Sequence, residues 1–109
     1  MKAKNNNLNI QLSPFPRETY ERNALIYKIL ANPKRLEILN TLKKRELTVD
    51  DLSDALKSRK SNISQHLMIL RLHCLVKTRR VGRNIFYTIL DPRIVEPCKI
   101  LHHFWRRRV

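Results

Sequence analysis

A single glycine, Gly82, serves all 109 residues of this chain. Positive φ is cheapest at glycine, and a tight hairpin is where the chain is expected to need it. Gly82 and Arg83 stand between Leu75–Val81 and Asn84–Leu90, and in the second run Ile85, Tyr87 and Ile89 alternate with Phe86, Thr88 and Leu90. Alternation on one side of a glycine-containing pair predicts a β-hairpin turning at Gly82-Arg83. The same scarcity excludes a glycine-rich phosphate-binding loop.

The rest of the chain follows helical spacing. Tyr20, Ala24 and Tyr27, with the Leu25, Ile26, Ile29 and Leu30 group, predict a first helix over 17–30. Asn32-Pro33 restarts a helix, because Asn caps and Pro suits the first helical position. Leu36, Leu39 and Leu42 form its stripe with Ile38 beside it, and Lys43-Lys44-Arg45 is the expected cationic end. Thr48-Val-Asp-Asp51 has capping-box spacing and opens a third helix with Val49, Leu52, Ala55 and Leu56 inward. After a polar break at 57–60 a fourth helix is predicted over 61–73, so the third and fourth read as a helix-turn-helix. Asp91-Pro92 begins the last helix, with Pro97 marking either a kink or its true start at Glu96-Pro97. The expected fold is therefore mainly α with a small β-hairpin, a winged helix-turn-helix in the order α-α-α-α-β-β-α. Residues 1–15 are read as a basic, flexible arm and 16–109 as one DNA-binding and dimerisation domain.

Charge narrows the function. Twenty-three Lys and Arg against nine Asp and Glu give a formal charge of +14, which draws polyanions through counterion release. All nine acids lie outside 55–90, whereas Lys57, Arg59, Lys60, Arg71, Lys77, Arg79, Arg80 and Arg83 lie inside. That segregation predicts one face built for nucleic acid. Two cysteines fit a reducing compartment. No apolar run approaches the roughly 18 residues of a membrane span, and the N-terminus lacks a secretion signal, so the expected location is cytoplasmic. No catalytic triad or paired-carboxylate arrangement has supporting context, so an enzyme is not expected, nor is a cofactor.

Turning the fourth helix at about 100° per residue separates two faces. Ile63, Leu67 and Leu70 cluster inward with His66 at their margin; Lys60, Ser61, Ser64, Gln65 and Met68 cluster outward with Asn62 on the flank. Short uncharged polar side chains are what reads base edges in a major groove, and Gln65 suits adenine. The DNA-contacting set expected from this face is Lys60, Ser61, Asn62, Ser64 and Gln65. In the wing, Arg79, Arg80 and Arg83 complete it, with strand alternation putting Arg79 and Arg80 on opposite faces. The alternative is a non-specific basic nucleic-acid-binding protein, against which the uncharged centre of the helix argues.

These stretches resemble a known family. Ala31-Asn-Pro-Lys-Arg-Leu-Glu-Ile-Leu39 looks like the opening of the second helix in ArsR/SmtB-type repressors. Ser61-Asn-Ile-Ser-Gln-His-Leu67, then Leu70 and Leu75-Val76, is similar to their recognition helix and its exit. Val81-Gly-Arg83 followed by Tyr87 resembles their wing, so the likeness runs over about residues 20–95. It implies a homodimer joined through the first and last helices, binding an imperfect palindrome of double-stranded DNA and released by an inducer.

The family's sensing sites do not carry over. Its helix-3 thiolates would fall on Thr48 and Asp50, and its last-helix site on Asp91, Arg93, Phe104 and Arg107, where only Asp91 is a ligand type. No metal is therefore expected, Cys98 and His102 being the residual candidates for a four-ligand site shared by two subunits. They are expected on one seam with Ile94, Val95, Leu101 and Trp105. Thiol sensing at Cys74 or Cys98 is the other option; Cys74 follows the recognition helix where the family often has glycine, and otherwise a free Cys is a small buried hydrophobe.

Overall fold

Side-chain caps at Asn32, Thr48 and Asp91 open helical segments, whereas the left-handed residues Lys57 and Cys74 end two helices. The computed structural model describes residues 8–108; the first seven residues of the expected arm lie outside them. Helix α1 covers Arg17–Leu30, α2 Pro33–Thr41, α3 Val49–Leu56 and α4 Lys60–Leu72. The hairpin pairs β1 (Val76–Val81) with β2 (Asn84–Ile89), and α5 (Glu96–Arg108) closes the fold. Among the described residues the order is the one the sequence predicts for a winged helix-turn-helix.

Local chemistry explains most boundaries. The Asn32 side chain accepts from the Arg35 N–H at 3.1 Å with Pro33 in the first helical turn. Thr48 and Asp51 make a reciprocal capping box, each side chain accepting from the other's N–H. Asp91 caps a single 3₁₀ turn, Pro92–Val95, after which α5 begins at Glu96. Of the two sequence readings of Pro97, the later start is the one adopted.

Five details differ from expectation. Helix α2 stops at Thr41, so Lys43-Lys44-Arg45 lies beyond it rather than in its last turn. Helix α4 runs one residue earlier at each end, and each strand loses its outermost leucine. Ala55 is exposed, leaving Leu52 as the one fully buried residue of α3. The expected terminal seam divides, because Val95 is fully buried and Cys98 packs on this chain's own core, whereas Leu101, His102 and Trp105 are exposed.

The helix-turn-helix turn contains no glycine. Lys57 adopts φ +54° at the end of α3, and the Ser58 N–H returns to the Ser53 carbonyl at 3.1 Å. Cys74 takes φ +60° after α4, where its N–H meets the Arg71 carbonyl and the Leu75 N–H meets that of Leu70. This is the Schellman pattern of a helix C-terminus, normally filled by glycine. Gly82 has φ +61° and is the first of the two hairpin turn residues, as a type II′ turn requires.

One core joins these pieces. Ile38, Leu39 and Leu42 of α2 and its C-cap meet Leu52, Ile63, Leu67, Leu70, Leu75, Val76, Ile89 and Val95. Leu47 forms an antiparallel bridge with Tyr87, adding the α2–α3 connection to the outer side of β2. Helix α4 therefore rests on α2 and α3 with the hairpin directly after it.

Candidate nucleic-acid interface

Burial of its inner residues sets the roll of α4. Ile63, Leu67 and Leu70 are 0% exposed, which turns Lys60, Ser61, Asn62, Ser64, Gln65 and Met68 to solvent. His66, at the boundary, is half-buried, and its Nδ1 accepts from the Arg35 Nε at 3.3 Å. Arg35 also donates to the Ile29 carbonyl at 3.1 Å. The imidazole thus ties α4 to α2 and the end of α1. Burial holds the His66 pKa below its ordinary value, and the Arg35 and Lys34 charges lower it further. All three effects favour the neutral ring that accepts this bond.

The acid-free stretch does not stay acid-free in space. Asp50 at the start of α3 pairs with Lys60 at 3.2 Å, both side chains being exposed. Glu46 reaches Arg79, whose Nε donates to Oε2 at 3.1 Å while Nη2 meets Oε1. The Arg79 guanidinium also lies over the Phe86 ring, 5.3 Å from its centroid. The guanidinium holds the Glu46 carboxyl below the usual carboxylate range. Sequence reasoning missed both pairs. Neither pair is signalled by local spacing, because tertiary packing brings the partners together.

The three wing arginines therefore differ. Arg79 is engaged by Glu46 and Phe86, whereas Arg80 and Arg83 are exposed at and near the hairpin tip with no side-chain ion pair among the described residues. Lys60 and its surface partner can separate when a phosphate competes, since exposed pairs are weak. The arrangement offers an uncharged hydrogen-bonding face flanked by cations at one end and on the wing. Such a surface can enter a major groove and hold the strands beside it.

The residues at the family's metal positions are otherwise engaged. Thr48 caps α3, Asp50 meets Lys60, and Asp91 caps the 3₁₀ turn while pairing with Arg93 at 2.8 Å. Those donors do not fit a metal ion. Cys98 is half-buried, its Sγ accepting from Asn40 Nδ2 at 3.4 Å, and His102 is exposed with its ring edge-on to His103. No group of three or more potential ligands occurs among the described residues of one chain. Cys74 is exposed, so the buried-hydrophobe reading does not apply to it.

Five helices, a hairpin wing and an outward polar face on the second helix of the helix-turn-helix define a winged helix-turn-helix DNA-binding protein. The model of the arsR family of bacterial regulatory proteins matches residues 32–77. The transcriptional repressor SmtB homolog of Synechocystis sp. is 43% identical over 72 residues, 66% of this chain and 54% of that protein's length. The transcriptional activator HlyU of Vibrio cholerae is 34% identical over 97 residues, 85% of this chain and 90% of its own. The structure of reduced HlyU superposes with TM-score 0.69, covering 83% of this chain and 98% of that one. NolR from Sinorhizobium fredii superposes with TM-score 0.70 at 33% identity, covering 86% and 97%. The chain belongs to the arsR family, and is a DNA-binding transcriptional regulator. No helix among the described residues is long and apolar enough to cross a membrane.

Proposed function

We propose that the chain is a repressor that binds an imperfect DNA palindrome as a homodimer and lets go when a signal reaches it. The observation that carries this reading is the outward face of α4, where Ser61, Asn62, Ser64 and Gln65 are all exposed opposite three fully buried anchors. These four, with Lys60, read one half-site, while Arg80 and Arg83 of the wing hold phosphate. Arg79 acts from behind, fixing the wing through Glu46. Of the described residues, 16–108 form the binding and dimerisation domain.

Dimerisation is supported by what one chain leaves uncovered. Helix α1 has no buried residue, and Leu25 and Tyr27 are exposed on it. Helix α5 exposes Ile100, Leu101, Phe104 and Trp105. Large apolar side chains gathered on two terminal helices mark an interface. One recognition helix reads only a few bases, and a two-fold pair places two about one DNA turn apart.

For the signal, Cys74 is favoured over Cys98 because its thiol is the exposed one. Replacing Cys74 and Cys98 by Ser, and measuring operator affinity with and without oxidant or Zn(II), tests both thiol and metal control; unchanged release in the variants removes both.

Selection of bound sequences from a random DNA library tests the main reading. The expected result is a palindrome with half-sites about one turn apart, preferred over other DNA by three or more orders of magnitude. Exchange of Ser61, Ser64 and Gln65 for other uncharged residues should change the selected half-site. Equal affinity for all duplexes, or an unchanged half-site in that variant, would overturn it.

A further inference from the structure

Met68 does not belong on a solvated polar face. It is 65% exposed, one turn after Ser64 and two after Ser61, between both in angular position about the α4 axis. Apart from Met1 it is the chain's only methionine. Leu72, one turn further on, is also exposed, and with Ser64, Leu67, Arg71 and Tyr87 these residues line an open cleft of about 640 Å³ between α4 and β2. An apolar side chain in the middle of a base-reading face has one apolar counterpart in the major groove, the C5-methyl of thymine.

We infer that Met68 is a specificity-determining residue that recognises a thymine methyl in each half-site, with Arg71 at the edge of the same cleft facing the backbone. The inference rests on the reading of α4 given above. Ser61, Ser64 and Gln65 address hydrogen-bonding edges, which leaves thymine marked only by its O4 acceptor. Met68 supplies the missing discrimination. Its unbranched thioether side chain adapts to the position of a methyl without requiring a new helix orientation.

Replacing thymine by uracil in the selected operator removes that methyl and nothing else. Wild-type protein should lose about fourfold in affinity for one methyl and about fifteenfold for the symmetric pair, the value of a buried methyl-sized group. This loss should appear at one symmetric pair of positions. Met68→Ala should bind the thymine and uracil operators alike, with unchanged helix content by circular dichroism and unchanged affinity for non-specific DNA. A uracil effect below twofold at every thymine, or one that persists undiminished in Met68→Ala, overturns the inference. The triple exchange at Ser61, Ser64 and Gln65 serves as the control: if it redirects target choice while uracil has no effect, only the role of Met68 falls. If the wild type prefers no sequence at all, both fall together.

Discussion

Helices α4 and α5 have the same length, 13 residues each, and opposite relations to the chain that carries them. Helix α4 buries Ile63, Leu67 and Leu70 completely and turns polar groups outward. Helix α5 rests on the core mainly through Cys98 near its start and exposes most of its apolar side chains, Trp105 at 61% and Leu101 at 53% among them. The first is completed by its own fold, and what it shows to solvent is available for DNA. The second leaves apolar surface uncovered in one chain, the surface that the proposed dimer would bury.

Leu101→Arg tests the uncovered helix and carries the largest expected effect. A charge in the seam should yield monomers by analytical ultracentrifugation and reduce palindrome affinity by about 10²–10⁴-fold, because the two half-sites are no longer bound by one particle. The midpoint of thermal unfolding should also cease to depend on protein concentration. A dimer with full affinity would move the seam away from α5.

Leu67→Ala acts on the completed helix. Loss of a fully buried leucine should destabilise the fold by about 2–5 kcal/mol in denaturant titration, since the cavity adds to the lost transfer energy. This deficit should be the same at low and high protein concentration once dissociation is accounted for. A deficit below about 1 kcal/mol would contradict the packing of α4 described here.

At the exit of α4, Cys74→Gly should stabilise by about 0.5–1 kcal/mol, because glycine adopts the positive φ of that position without a Cβ penalty. Cys74→Ala should bring no such gain. The smallest effect concerns His66. Its folded-state pKa lies below the ordinary 6.5, so the unfolded chain takes up the proton first. The stability contributed by the neutral ring is complete above that value and declines as the pH falls through the window beneath it. His66→Gln should flatten this part of the pH–stability curve, and an unaltered curve would remove the role given to the Arg35 contact.

What the sequence disclosed depends on how far apart the partners lie along the chain. Asn32-Pro33, the Thr48 box, Gly82 and the two faces of α4 were legible because each is decided within a few residues. The pairs Glu46–Arg79, Arg35–His66 and Asn40–Cys98 are 33, 31 and 58 residues apart, and only tertiary packing creates them. They altered the candidate site: Arg79, grouped with Arg80 and Arg83 by composition, turns out to be held by a carboxylate. Cys74 falls between these cases. The Leu70–Leu75 pair around it is the apolar contact that accompanies a Schellman ending, a readable signal for positive φ at a residue other than glycine.

The wing is attached at two places to the same short connection. Leu47 exchanges both backbone hydrogen bonds with Tyr87, and Glu46 next to it grips Arg79 on the other strand. Since Thr78 faces Tyr87 and Arg79 faces Phe86 in the register, both attachments lie midway along the hairpin, and the α2–α3 connection braces it there on both strands. The bearing of the tip, and of Arg83 on it, is therefore set from the α2–α3 connection as well as from the exit of α4.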